Sequence, residues 1–486
     1  MLLAEHSVPP APGVLSHLRR MTLASLMDVS SLSPEPTQDH APVIGAHAGG
    51  AKGDGTIATG KPKVRILLSE GSSTNAREVI SALGPKGYVL DVCDPNPICL
   101  GRFSRYVRKV HRSPVSGSDP MGYLRFVQEL LREHHYDVLL PVNEQAYLFS
   151  WARHHLSALT GLAVADFAAF TRVQTKANFH DLLDELGLPQ PVTLIARTWS
   201  QIEAGVASIT FPCYLKTSYG TASTGVWRIG DADDLNEAKV SLQRQGLPDA
   251  ETEILVQKAA EGVFEQSHAV FDRGRLIALH CTRRLREGAG GGAAVKVGVD
   301  RPIVAGHFEG LGKELEWHGG MSIDYFWNEE TLSPSYIDAN PRITEPMNAV
   351  VNGVNVADLQ VRLSLGERTP TPASAHVGRR SHNTLQALLG AAVRDHSRGA
   401  VIREATHVAL RRGPYSNSRE GMTPIWRDPP SALPLAVVLI SLMLNPHNGA
   451  RLASMTIGNY SLGAVIDSIP GLDPNEIFRE PADDSS

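Results

Sequence analysis

An α/β architecture is the expectation here, and three features of the chain predict it. Apolar, strand-like runs alternate with helical stretches over the first ordered part. A single lysine ends an apolar strand and leads into a loop of small residues. Two acidic strand segments flank a polar, proline-containing turn. In order, Val64–Leu68 reads as a buried strand, followed by a turn near Gly71 and a helix from Asn75 to Leu83 closed by Gly84. Tyr88–Val92 reads as a second strand, Met121–His134 as a helix and Asp137–Pro141 as a third strand. Strands alternating with helices imply a parallel sheet with helices on its faces. Phe179, Leu182, Leu183 and Leu186 recur at helical spacing, with Gly187 placed to end that helix and Pro189 to block its continuation. Strands are expected to dominate from Val192 to Asn340, with one helix near Asp234–Gln245. Beyond about residue 375 the chain reads as helical, and Leu435–Leu444 reads as a buried helix, too short to cross a bilayer.

Composition excludes several function classes. The 486 residues suffice for three or four packed units, and 42% hydrophobic content suits globular cores. A formal charge of −5 gives no case for nucleic acid or an anionic membrane as partner. Cys93, Cys99, Cys213 and Cys281 form neither a CxxC pair nor a dense framework, which suits a reducing cytosol and a cytoplasmic protein. Residues 1–62 are rich in Pro, Ala, Gly, Ser and His, and read as a disordered leader without a secretory signal; Val14–Met27 alone has helical character. Within it, Gly55, Gly60 and Lys61 imitate a phosphate loop, but Pro62 stands where Ser or Thr is needed and a strand follows where a helix is required. The turn at Gly71 lacks GxGxxG, so dinucleotide binding is not supported. The pairs His134–His135 and His154–His155 read as structural or surface groups.

Met321–Trp327 and Tyr336–Asn340 read as the two strands of a hairpin. A turn centred on residue 331 sets Asp324 opposite Asp338, with Asn340 on the face of Asp338. Facing carboxylates repel, but they suit a hard cation with oxygen ligands. Phe211–Lys216 is a strand with a terminal lysine, and Thr217–Val226 supplies small residues whose backbone N–H groups can approach phosphate oxygens. Lys176 stands in the first turn of a helix, where a cation opposes the helix dipole and a nearby anion offsets that. Thr282–Gly288 concentrates arginines, whose forks suit carboxylates.

Taken in this order, with Leu255–Ala260 between and Asp338-Ala339-Asn340-Pro341-Arg342 at the end, these motifs resemble the ATP-grasp superfamily. The nearest likeness is to its carbamoyl-phosphate-synthase-like branch of carboxylate–amine ligases. It covers about residues 64–368 and extends to Gly353-Val354-Asn355, Phe103–Tyr106 and Pro141–Glu144. The resemblance implies a pre-ATP-grasp, Rossmann-like domain over 63–165, an ATP-grasp domain over 166–368 with its nucleotide lid at about 192–258, and a helical region over 369–486. It implies that Lys176 and Lys216 touch ATP phosphates while the loop with Ser218, Thr221 and Ser223 closes over them. Gln257, Lys258 and Ala260 would border adenine, and Glu265 would accept from the ribose. Asp324, Asp338 and Asn340 would hold Mg²⁺, or Mn²⁺ in its place; Arg342, with Arg284 and Arg283, would serve the transferred phosphoryl group and the acid. The implied activity is ATP-dependent joining of a small-molecule carboxylate to an amine through an acyl phosphate, with a homodimer as the ordinary assembly. Asp338 stands where the family usually has Glu, Gln257 where Glu is frequent, and the loop has fewer glycines. Bicarbonate activation and a non-catalytic ATP-binding module are the competing readings.

Overall fold

In the computed structural model, residues 63–220, 224–248, 252–369 and 376–478 are described. The expected leader, with its Val14–Met27 segment, and the loop residues Thr221 and Ser223 lie outside them. The described chain carries three sheets.

The first sheet contains β1 (Arg65–Leu68), β2 (Val89–Asp94), β3 (Val107–Arg112) and β4 (Val138–Leu140), in the order β3-β2-β1-β4. All its pairings are parallel, as the strand–helix alternation predicts. The Thr74–Leu83 helix starts where Ser73 caps Ala76 N–H. It ends at Leu83 with Gly84 as its C-cap, as expected, although Gly84 keeps a helical φ of −51° and opens a 3-10 turn to Lys86. Ile66, Leu68, Val79, Ile80 and Leu140 pack between sheet and helix.

The second sheet is a small antiparallel unit: β5 (Thr193–Ala196), β6 (Cys213–Thr217), β7 (Val226–Ile229) and β8 (Ile254–Lys258), ordered β5-β8-β6-β7. Helices Trp199–Ile209 and Ala232–Arg244 cover it, and Ile202, Val206, Leu215, Leu242 and Val256 make a core of its own. This is the span where a nucleotide lid is expected.

The third sheet takes β9 (Val263–Asp272), β10 (Arg275–Glu287), β11 (Ala293–Val299), β12 (Gly319–Asn328), β13 (Ser333–Asn340), β14 (Arg380–His382) and β15 (Ser418–Glu420), ordered β13-β12-β9-β10-β11-β14-β15. It is antiparallel except for β14 with β15.

Three expectations need correction. The stretch Val192–Asn340 holds three helices, not one, since Trp199–Ile209 and Pro302–Glu314 were not anticipated. The region after 369 is mostly helical, yet it adds β14 and β15 to the third sheet. The apolar run lies in the Ala432–Leu444 helix, of which only Val438 and Leu442 are buried; Leu433, Ile440 and Leu444 are 50, 59 and 70% exposed. No helix among the described residues is long and apolar enough to cross a membrane.

Candidate active site

Where the three sheets meet, a cavity of about 920 Å³ is lined by nearly every expected site residue among those described. The residues expected to hold a metal lie on the β12–β13 hairpin. The register places Asp324 directly opposite Asp338 and Ser322 opposite Asn340. A register shift between Asp324 and Tyr325 makes this possible: Tyr325 faces Tyr336, so Ile337 is the extra residue of a bulge that brings Asp338 into line. Gln266 Nε2 donates to Asp324 Oδ1 at 2.7 Å. Burial, reinforced by the charge of Asp338, raises Asp324 to a pKa of about 7.

The cationic side faces this pair. Lys176 is the first residue of the Lys176–Glu185 helix, which Thr175 caps. Its backbone N–H donates to Ser218 O at 3.0 Å; its Nζ donates to Gly220 O at 3.0 Å and lies 3.5 Å from Asp338 Oδ2. Gly187, with φ +62°, ends this helix after Leu186 as the sequence predicts. Lys216, on β6, is 6% exposed and donates to Gln257 Oε1 at 2.6 Å. Burial lowers its amine to about 8, with Asp338 and Asp324 acting against the shift and Lys176 adding to it. Gln257 in turn donates to Thr193 Oγ1 at 2.9 Å, and Lys258 and Ala260 continue the cavity edge beyond it. Tyr219, within the small-residue loop, donates its hydroxyl to Asp467 of the C-terminal part.

Arg342 also lines the cavity, from just beyond the end of β13. β13 ends at Asn340, and the Arg342 N–H turns back to Asn340 O at 2.6 Å. The residue is 7% exposed, and its Nε has no hydrogen-bond partner among the described residues. A buried, unpaired guanidinium nitrogen beside the β12–β13 hairpin is what an anionic ligand satisfies. Arg284 reaches the cavity from β10, stacks on Phe264 with 4.3 Å to the ring centre, and donates to Gly291 O at 2.7 Å.

Two assigned residues belong elsewhere. Glu265 is fully buried on the opposite face of β9 from Phe264 and Gln266. Its carboxylate accepts from Arg301 at 2.7 and 2.8 Å, from Arg283 at 2.9 Å and from Tyr325 at 3.1 Å, which leaves it no route to a ribose. Arg283 likewise faces away, paired with Glu265 and Glu329, while its neighbours Thr282 and Arg284 face the cavity. Conversely, the sequence reading passed over Lys296, Gln266 and Glu345. Lys296 Nζ donates to Gln266 Oε1 at 3.1 Å and pairs with Glu345. A lone lysine inside the apolar run Ala293–Val299 was the available signal. Glu345 holds φ +36°, a strained non-glycine geometry of the kind found at functional sites.

Among the described residues no group of three or more His, Cys, Asp or Glu side chains forms a metal cluster. A cation here would rest on Asp324, Asp338 and Asn340, with substrate oxygens completing its shell, and the residues fit that role. Two carboxylates face each other, one of them raised, and neutralisation by a cation relieves both.

No family model matches the chain. Among curated proteins, it is 23% identical over 348 residues to the carbamoyl phosphate synthase large chain of Deinococcus radiodurans, covering 66% of this chain and 33% of that one. It therefore spans about a third of that relative's length. Among solved structures, the biotin carboxylase domain of Hydrogenobacter thermophilus 2-oxoglutarate carboxylase superposes with a TM-score of 0.51 at 17% identity, over 66% of this chain and 72% of that one. An N5-carboxyaminoimidazole ribonucleotide synthetase in complex with ADP gives 0.53 at 14% identity, covering 72% and 86%. The L-amino acid ligase of Bacillus licheniformis gives 0.52 at 15%, covering 66% and 80%. The chain thus shares the fold of these three structures.

Proposed function

We propose that the protein is a magnesium-dependent, ADP-forming carboxylate–amine ligase. One observation carries this reading: a single cavity sets Lys176 and Lys216 against the Asp324–Asp338 pair, with the unpartnered Nε of Arg342 beside them. Carboxylates are poor electrophiles, and phosphorylation by ATP provides a phosphate leaving group. That transfer needs charge neutralisation and alignment more than covalent help. Lys176 and Lys216 would hold the phosphates, and Gln257 to Ala260 would border the base. Ser218 and its loop would exclude water. Arg342 would bridge the transferred group and the acid, then stabilise the oxyanion when the amine attacks. Mg²⁺, held by Asp324, Asp338 and Asn340, would neutralise charge on the phosphate oxygens. Domain limits near residues 165 and 368 follow from the same likeness. A cytoplasmic site is supported by four buried, unbridged cysteines, and a homodimer by analogy with the biotin carboxylase domain described as a dimer.

The test offers ATP, Mg²⁺, hydroxylamine and each of the twenty common amino acids in turn. The expected result is hydroxamate with equimolar ADP. Release of AMP and pyrophosphate would remove the assignment, and ADP release driven by bicarbonate alone would move it to the carboxylase reading. Arg342→Lys should lower turnover by more than it weakens ATP binding, because the fork matters most as charge builds on the transferring group.

Lys216 gives the reading a pH signature. Its amine is charged below about pH 8 in the free protein, and bound phosphate favours the charged form. ATP affinity should thus be full below pH 8 and fall as pH rises through it. The loss should approach that of Lys216→Ala, about 1.5–3 kcal/mol for one charge-assisted contact. Lys216→Arg, which does not titrate, should flatten the profile. ATP titrations at pH 7 and pH 9.5 decide it; identical affinities would place Lys216 away from the phosphates.

A further inference from the structure

The cavity has two unlike walls. The sheet side is charged, with Lys176, Lys216, Arg284, Asp324, Asp338 and Arg342 among its residues. The opposite side comes from the C-terminal part, and none of its cavity-lining residues between Ala450 and Ile466 carries a charge. Ala450, Ala453, Ile457 and Ile466 line the cavity there, interspersed with the uncharged hydroxyl residues Ser454, Thr456 and Tyr460.

This wall is fixed in place. The Asn448–Ser454 helix packs on the Thr384–Asp395 helix so closely that a Cβ on Gly449 would lie 3.0 Å from Ala392 Cβ and 3.3 Å from Val393 Cγ2. Asn459 Nδ2 donates to Ser72 Oγ at 3.1 Å, and the Leu462 N–H donates to Glu144 Oε2 at 2.7 Å. Its position is also defined chemically. Tyr460 lies in the field of Arg342, Glu70 and Glu144, so the wall adjoins the arginine assigned to the transferred group. The edge assigned to the base, Gln257 to Ala260, belongs instead to β8 and the segment that follows it.

Resting on the ligase reading, we infer that the acid substrate has an apolar body, aliphatic or aromatic, which lies on the Ala450–Ile466 wall while its carboxylate faces Arg342. Apolar side chains turned toward a cavity gain stability by covering an apolar ligand. A substrate with a charged body would lose its hydration against this wall without gaining a counter-charge.

The experiment measures ADP release with hydroxylamine as amine, over acids matched in size: L-leucine against L-aspartate, L-phenylalanine against L-glutamate, 4-methylpentanoate against succinate. The apolar member of the productive pair should have a kcat/KM higher by roughly tenfold or more. Ala453→Asp and Ile457→Ser, each checked by its melting curve and ATP affinity, should erase that preference. The second variant decides if the first does not fold. Equal or higher rates with the polar acids, or a preference untouched in a folded variant, overturn the inference and leave the ligase reading standing. ADP release from no acid, with ATP still bound, overturns both and leaves an ATP-binding module.

Discussion

Asp338→Ala is expected to abolish magnesium-dependent ADP formation while the protein stays folded. Asp338 faces Asp324 across the β12–β13 ladder and lies 3.5 Å from Lys176. Removing it takes away one of the two facing carboxylates assigned to the cation. Mutating the outer partners of metal ligands already costs about 10–100-fold, so loss of a ligand should exceed that range. The effect on stability should have the opposite sign or vanish, because two like charges facing each other across a ladder are unfavourable. Asp338→Asn separates charge from shape: it preserves the hairpin packing and should be nearly as inactive. Chelation of Mg²⁺ in the unmutated protein should reproduce the same loss. Coupled ADP detection together with thermal melting reads both quantities, and an active, unchanged Asp338→Ala protein would end the metal assignment.

The largest stability effect should come from Asp428→Ala. Asp428 and Arg77 have fully buried side chains and form an ion pair. Asp428 also accepts from Ser104 Oγ at 2.6 Å and from the Arg105 N–H at 2.7 Å. Arg77 sits on the helix that follows β1, so the pair joins the first sheet's layer to the C-terminal part. Truncating Asp428 leaves a fully buried guanidinium without the carboxylate it pairs with. Breaking one side of such a pair costs about 3–5 kcal/mol. Replacing both partners with apolar residues of similar volume, Arg77→Met with Asp428→Leu, should recover much of it, since a buried pair contributes little net over good apolar packing. Denaturant titration measures both, and a single variant as stable as the double would show that the pair is solvated.

The pairing of Asp324 with Asp338 was only partly legible: a turn centred on residue 331 sets them opposite, whereas the hairpin pairs Asn328 with Ser333 and Tyr325 with Tyr336, and the Ile337 bulge restores the alignment. Glu265 and Arg283 were assigned from the resemblance alone, which does not fix strand parity. Each is one residue out of phase with the cavity, and phase is set by pairing with β12 and β11, which a single strand does not display. The Trp199–Ile209 and Pro302–Glu314 helices escaped notice for a different reason. Gly205, Gly306, Gly310 and Gly312, with the β-branched Ile202, Val206, Ile303 and Val304, weaken local helix preference, so tertiary burial decides. The Ala450–Ile466 wall was hidden because an apolar residue facing a cavity reads in sequence like one facing a core.

The bond from Asn459 to Ser72 spans 387 positions of the chain. During synthesis, at about 5–20 residues per second, the segment around Ser72 therefore waits roughly 20–80 s before the partner that completes its side of the pocket has been made. Throughout that interval the sheets can form and the lysines can stand in place, but the acid's wall does not yet exist. A nascent chain of this protein should therefore acquire nucleotide binding before it acquires substrate selectivity.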